Sequence, residues 1–368
     1  MRVGIVVGIC IEHDAISAAA AGQAELLQAL GAVTSVDVFT TYGDRAVGVP
    51  VHHHYTSWSM FASPEFQRCD VVIFHWGIYT QLFDAIWAVD PSRQRAIVHF
   101  HNSTPLALAS NDHDRVAIAR GMHQIEAVAV LPVRVWTYSE FNRQVLLAIG
   151  VPAERIGFVP FVIEPPHPLH AGVAVRDSAH VDVLCVGRLV PAKGTMTLVE
   201  AFGMLGAQYR LVIAGNHETS AGSYYEQLTR RVAALGLQHA VRFVHPDDDE
   251  LWQLYEAAHI VVSPSLHEGL CVPVIEGYLA GCRAVGTTAG NLPFVVQPPD
   301  EVVPPGDPEQ LAAAIERAAT RVGQPHPLAQ ELCALFSSVS VAQRLHEELA
   351  IGGASPRPWP GPAAEHVS

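Results

Sequence analysis

Lysine is nearly missing from this chain. Of 22 basic residues in 368, one is lysine, Lys193, and it lies in a glycine-flanked loop. Acidic residues outnumber basic ones 36 to 22, for a net charge of −14. That balance argues against a nucleic-acid binder and makes docking on an anionic membrane surface an unfavourable expectation. Long apolar runs are missing too. No segment approaches the roughly 18 uninterrupted apolar residues of a transmembrane helix. The six cysteines (10, 69, 185, 271, 282 and 333) form no Cys-x-x-Cys pair. Reduced core thiols in a cytoplasmic protein are therefore expected. The start, Met1-Arg-Val-Gly-Ile-Val-Val-Gly, has no small-residue cleavage site and reads as a buried strand rather than a signal peptide. No Gly-x-Gly-x-x-Gly follows a strand and no Walker A loop is present, so dinucleotide redox chemistry and ATP hydrolysis lose support.

What is there is ample for two cores. The chain is 49% hydrophobic, and its length suits two domains. Residues 1–12 read as strand, 15–30 as helix and 33–40 as strand. Cys69-Asp-Val-Val-Ile-Phe-His75 is a further strand, Leu82–Trp87 a helix, and Arg95-Ala-Ile-Val-His99-Phe-His101 a strand. His52-His-His-Tyr is the one histidine cluster in sequence, and without nearby Cys or acidic spacing it reads as a solvated strand end rather than a metal site. His99 and His101 share one strand face, and His101 with Asn102 closes that strand, where ligands gather in open α/β sheets. The plain alternative is a core or capping histidine. Ser139 caps the helix that follows the next strand.

Strands and helices thus alternate, which implies parallel sheets. A Pro-, Gly- and Ala-rich stretch interrupts the pattern, and it then restarts. The expected organisation is an N-terminal domain over 1–168, a linker at 169–180 and a C-terminal domain over 181–335. A last helix at 336–351 and a disordered tail at 352–368 follow. Ser340-Val-Ala-Gln343 has capping-box spacing for that helix, and Val341, Leu345 and Leu349 form its apolar stripe.

The chain's chemistry centres on Ser263-Pro-Ser-Leu-His-Glu268-Gly-Leu-Cys-Val-Pro273-Val-Ile-Glu276. Ile260-Val-Val before it reads as a strand. Pro273 suits the first helical position, which makes Val272 the cap, and Gly281 the stop. Glu268 then lies on a loop and Glu276 in the first helical turn. On one helix, eight positions would part them by about 12 Å. On loop and helix they can hold different parts of one long ligand, with helix N-terminal N–H groups between them for an anion. Two carboxylates for hydroxyls beside N–H groups for phosphate suggest a nucleotide sugar; a plain capped helix after a surface loop is the alternative. Gly187-Arg188 closes another strand and Lys193-Gly194 opens the next helix. A cation at each end of a short loop suits a diphosphate.

Together, Val186-Gly-Arg188-Leu…Lys193-Gly194, Ile213-Ala-Gly215, Val241-Arg-Phe-Val244, the Glu268…Glu276 stretch and Val303-Pro-Pro-Gly-Asp-Pro resemble the retaining nucleotide-sugar glycosyltransferases of the GT-B fold, family four. The likeness covers nearly the whole second half. In the first half, His101-Asn-Ser-Thr-Pro and Ser139-Glu-Phe match in kind and place. The resemblance implies two Rossmann-like α/β domains facing a central cleft, with the last helix crossing back to the N-terminal domain. It implies that Arg188 and Lys193 bind the donor diphosphate and stabilise the leaving group. Glu268 faces the transferred sugar, and His101 reaches that sugar from the opposite domain. Gly187, Gly269, Leu270, Cys271 and Val272 line the donor, Glu276 holds the ribose hydroxyls, and Val244 lies near the base. No cofactor or metal is implied beyond the donor substrate. The partners are a nucleotide sugar (UDP- or GDP-) and a hydroxyl-bearing small or soluble acceptor, attacked on the same face.

Two departures from the family pattern stand out. The turn after the first strand, from Gly8 to Ser17, has one glycine and an acidic patch, which points to a polar or cationic acceptor near Glu12, His13, Asp14 and Asn102. Leu292-Pro293-Phe294 stands where Pro-Glu is usual, at the donor-sugar pocket or its rim. Two other classes fit less well. A nucleotide-sugar epimerase of the same fold would act without an acceptor, and a non-catalytic binder would not need all of Arg188, Lys193, Glu268 and Glu276.

Overall fold

The computed structural model describes residues 1–12, 14–43, 48–109, 111–165, 179–215, 223–324, 326–327 and 329–350. His13, most of the expected linker, loop 216–222 and the expected disordered tail lie outside the described residues. The chain divides into two units. The first joins residues 1–162 to the segment that starts at Leu335, and the second holds Ile163–Ala334.

The first unit is built on seven strands: β1 (Arg2–Val6), β2 (Ser35–Thr40), β3 (Val51–His53), β4 (Val71–Trp76), β5 (Arg95–Phe100), β6 (Arg134–Thr137) and β7 (Ile156–Phe158). They run parallel in the order β3-β2-β1-β4-β5-β6-β7. The second unit has β8 (Val181–Val186), β9 (Tyr209–Ala214), β10 (Val241–Val244), β11 (Ile260–Val262), β12 (Arg283–Thr287) and β13 (Glu301–Val303). Their order is β10-β9-β8-β11-β12-β13, again all parallel. Both sheets are covered on two faces, which is why strands such as β4 are buried along their whole length and apolar but for His75. Each sheet accordingly separates two apolar clusters.

Strand order reverses between β1 and β4 in one sheet, and between β8 and β11 in the other. In doubly wound sheets the loops at such a reversal diverge and leave a crevice at the carboxyl ends of the strands. The loop after β8 carries Arg188 and Lys193, and the loop after β11 carries Glu268.

The last helix, Ser338–Ala350, belongs to the first unit. Val341, Leu345 and Leu349 pack with Val3, Ile5 and Trp136. Glu348 takes both Arg134 Nε and Nη2 at 2.8 Å and the Trp136 indole N–H at 3.0 Å. Arg95 donates to the Leu349 carbonyl, one of the carbonyls a helix end leaves over.

Several local expectations need correction. The first strand spans five residues, Arg2–Val6, because the chain turns at Gly8. Gln81–Ala88 winds as a 3-10 helix rather than an α-helix. Ser340 lies inside the last helix; the Ser337 hydroxyl accepts from the Ser340 N–H and takes the capping place. The helix after β11 starts at Val272, capped by Cys271 and not by Val272 itself. Cys271 holds φ 72°, the left-handed region that turns the chain into the helix. Glu276 is therefore the fifth helical residue, just past the first turn.

Candidate active site

The loops after β8 and β11 are tied together by their backbones. Leu266 N–H donates to the Ala192 carbonyl at 2.8 Å. Gly194, at φ 66°, lies so close to the second loop that a Cβ there would stand 1.9 Å from the Pro264 carbonyl oxygen. No side chain can occupy that space, so glycine is what lets the loops touch. Across this contact Lys193 Nζ reaches Glu268 Oε1 at 2.6 Å. Ser265 Oγ donates to the same oxygen at 2.7 Å. Glu268 Oε2 makes no hydrogen bond among the described residues. An ammonium has three N–H donors, so Lys193 keeps two for a ligand. Arg188 is exposed, and its side chain has no hydrogen bond or ion pair among the described residues. A compact cation, a free guanidinium and a half-engaged carboxylate thus share one sheet edge.

A third turn holds the Glu268 loop from behind. Asn291 N–H donates to the Glu268 carbonyl at 2.8 Å and its side chain to the Leu270 carbonyl at 3.2 Å. Glu268 is 9% exposed as a result. Beyond it, Leu270 and Cys271 are buried, while Gly269 and Val272 are half-buried at the N-terminus of helix Val272–Leu279. The first N–H groups of that helix have no acceptor within it, and the helix dipole adds positive potential there. The Cys271 thiol bonds to Ser263 Oγ at 3.3 Å and is pushed up to about 12, chiefly by burial, so it is an inert thiol.

Glu276 lies on the same helix and accepts from the Tyr255 hydroxyl at 2.6 Å. Burial pushes its carboxyl up to about 7; the Tyr255 hydrogen bond opposes that shift and Asp248 adds to it. Gly187 and Val244 flank the same edge. Gly187 N–H donates to the Ala214 carbonyl and Gly215 N–H to the Val244 carbonyl, both at 3.0 Å. Leu292 and Phe294, expected near a sugar pocket, are buried in a short helix, Leu292–Val295.

In the first unit the residues named from sequence divide. His101 is buried at the exit of β5, with its carbonyl accepting from Tyr138 Oη at 2.6 Å. Asn102 follows at φ 68°, donates to Asn142 Oδ1 at 2.7 Å and accepts from Ser103 N–H. Its side chain shapes the turn. Asp14 caps helix Ala15–Ala29 by accepting from Ser17 N–H and Oγ, both at 2.8 Å. Glu12 is exposed at the end of the turn after β1.

Five participants escaped the sequence reading. Ser265, Tyr255 and Asn291 hold Glu268, Glu276 and their loop. His75 sits against His101, and Gln23 against His75 and His99. For His75 a signal was present: β4 and β5 each carry a histidine one residue before their end, and His75 stands opposite His99 in the ladder.

Residues 174–329, the span carrying the Lys193–Glu268 pair and Glu276, match the family model described as Glycosyl transferases group 1. The D-inositol 3-phosphate glycosyltransferase of Corynebacterium jeikeium is 34% identical over 117 residues, covering 30% of this chain and 28% of that protein. The protein of the same name from Acidothermus cellulolyticus is 30% identical over 210 residues, covering 52% and 46%. The matched stretches thus span less than half the length of these curated relatives. Among solved structures, sucrose-phosphate synthase from Thermosynechococcus elongatus superposes with a TM-score of 0.74 at 18% identity, covering 95% of this chain and 98% of that one. HepE of Anabaena in complex with UDP gives 0.73 at 19%, covering 95% and 100%. At such identities the likeness speaks for the fold. No helix among the described residues is long and apolar enough to cross a membrane. The chain therefore has the GT-B fold, and its residues 174–329 are similar to the glycosyltransferase group 1 family.

Proposed function

We propose that the protein is a retaining glycosyltransferase. It moves a sugar from a nucleoside-diphosphate sugar, UDP- or GDP-linked, to a hydroxyl of a small or soluble acceptor, without a metal ion. The observation that carries this reading is the Lys193–Glu268 contact of 2.6 Å beside a free Arg188, at the strand-order reversal of the second sheet. Arg188 and the two remaining Lys193 donors hold the diphosphate and take up charge as it leaves. Glu268, fixed by Lys193 and Ser265 through one oxygen, turns the other to the sugar hydroxyls. The N-terminal N–H groups of helix Val272–Leu279 meet the phosphate, and Glu276 takes the ribose. His101 is assigned to the transferred sugar.

Catalysis then rests on position and charge. The acceptor hydroxyl attacks the anomeric carbon from the face the diphosphate leaves. The new C–O bond forms as the old one breaks, and the departing phosphate oxygen takes the acceptor's proton. The two flanking carboxylates of a glycosidase are not needed for this course.

The test is a thermal-shift panel of UDP, GDP, ADP, dTDP and CDP with their common sugars, each with and without EDTA. UDP heads it because HepE, a structural neighbour, is described as a UDP complex. One nucleotide series raising the melting temperature, unchanged by EDTA, supports the proposal and names the donor class. No shift with any of them at millimolar ligand removes the nucleotide-sugar reading.

A further inference from the structure

At the carboxyl edge of the first sheet, three histidines and one glutamine form a continuous chain of contacts. His101 Nε2 lies 2.9 Å from His75 Nδ1. His75 Nε2 lies 2.9 Å from Gln23 Oε1, and Gln23 Nε2 lies 3.3 Å from His99 Nδ1. All four side chains are buried, at no more than 8% exposure. Helix Ala15–Ala29 supplies Gln23, β4 supplies His75, and β5 with its exit supplies the other two.

Ligand atoms of the three rings fall within 4.8 Å of one another, a spacing that invites a metal ion. The pairing speaks for hydrogen bonds instead. The His75 and His101 centroids are 5.0 Å apart with 24° between ring planes, while their facing nitrogens are 2.9 Å apart. The rings therefore meet edge to edge, each nitrogen aimed at the other. Two nitrogens on one tetrahedral zinc, at about 2.0–2.1 Å each, would stand about 3.3 Å apart with both lone pairs turned to the ion and not to each other.

The direction of the chain follows from valence. A carboxamide oxygen only accepts, so His75 Nε2 carries the hydrogen. Neutral His75 then offers a lone pair at Nδ1, and His101 meets it with N–H at Nε2. At the other end the Gln23 NH2 group only donates, so His99 Nδ1 accepts and its hydrogen sits on Nε2. The Val159 backbone carbonyl favours a proton on that ring. Burial keeps the set neutral: His75 and His101 lie well below the usual histidine range, and His99 falls to about 3.

We propose that Gln23 and His75 are positioning residues that lock His101 in its neutral Nε2–H tautomer, leaving a bare lone pair at Nδ1. This deepens, and rests on, the assignment of His101 to the transferred sugar. A bare Nδ1 accepts a hydrogen bond from a sugar hydroxyl and has no proton of its own to donate there. His101 then orients the sugar and is no general acid.

The test is ring nitrogen–proton correlation spectroscopy of the full chain labelled with 15N-histidine. The expected pattern is Nε2–H on His75, His99 and His101 across the neutral pH range. His75→Asn, whose amide oxygen can stand where Nδ1 stood and still accept, keeps the His101 pattern. His75→Leu lets the two His101 tautomers mix. Nδ1–H on His101, an imidazolium near neutral pH, or stoichiometric zinc uptake shifting all three rings overturns the lock. If His75→Leu does not fold, the wild-type spectrum decides alone. Titration with UDP-glucose separates this inference from the assignment it rests on. Movement of His101 Nδ1 supports the sugar contact. Shifts elsewhere with Nδ1 unmoved remove His101 from the sugar and leave the lock standing.

Discussion

Lys193 Nζ and Glu268 Oε1 lie 2.6 Å apart although 75 positions separate the two residues in sequence. The chain's single lysine thus closes the contact between the loops after β8 and β11. Without Lys193, Glu268 keeps Ser265 as its remaining side-chain partner at 9% exposure.

Lys193→Ala and Arg188→Ala are each expected to lower turnover by on the order of 10²-fold, through lost leaving-group stabilisation. Lys193→Ala should also cost about 1–3 kcal/mol in urea unfolding, since it strands a buried carboxylate. Adding Glu268→Gln should restore most of that stability but not the turnover. Wild-type kinetics in both single variants would remove the diphosphate role.

With the ribose role proposed for Glu276, stability and donor binding are expected to run in opposite directions with pH. Its folded-state value of about 7 lies above the ordinary 4.5. The protonated form is thus favoured by folding; its contribution is fully present below 4.5 and lost as pH rises through about 7. Donor affinity, in which the proposal gives the carboxylate the ribose, should rise over the same interval. Tyr255→Phe removes the hydrogen bond that lowers this pKa and should move the affinity midpoint upward. Glu276→Gln should flatten both curves. Isothermal titration at several pH values checks the first, and melts over the same series the second.

Cys271 holds φ 72° without being glycine. Cys271→Gly should cost little, because relief of about 1–2 kcal/mol of left-handed strain offsets lost packing and backbone entropy. Cys271→Val, with a branched Cβ, should cost clearly more. Urea midpoints of the two variants decide the order, and equal values would deny the strain.

Gly194→Ala is a sharper case. The added Cβ meets the Pro264 carbonyl oxygen at 1.9 Å, a backbone atom that cannot swing away. The loops must part, so turnover should fall along with stability although the residue has no side chain to lose. A variant with unchanged melting temperature and turnover would show the two loops to be independent.

Glu348→Ala should lower the stability of the first unit by about 3–5 kcal/mol. It removes both partners of the Arg134 fork and the acceptor of the Trp136 N–H. Hydrogen exchange should show the loss across β6 and its neighbours, with the second unit unchanged.

Much of the fold was legible because parallel strands buried on two faces must be largely apolar, as Val71–Phe74 and Ile260–Val262 are. The loops bearing Arg188, Lys193 and Glu268 were legible for the same reason, since each follows such a run. The Lys193–Glu268 contact was not, because it depends on Gly194 accepting a carbonyl where a Cβ would be. Glu276 was set one residue early because nothing in a cysteine marks a left-handed residue. The histidine chain was missed because its direction is set by a glutamine on a different element.

The path of the chain has a bearing on biosynthesis. Among the described residues, Ile163–Ala334 of the second unit lie in sequence between the two pieces of the first, residues 1–162 and the segment from Leu335. During translation Ile163–Ala334 are made while the first unit still lacks Val341, Leu345, Leu349 and the Glu348 carboxylate. Until then a strip of its sheet stands bare, and the nascent chain depends on its own last helix, or on a chaperone, to cover it.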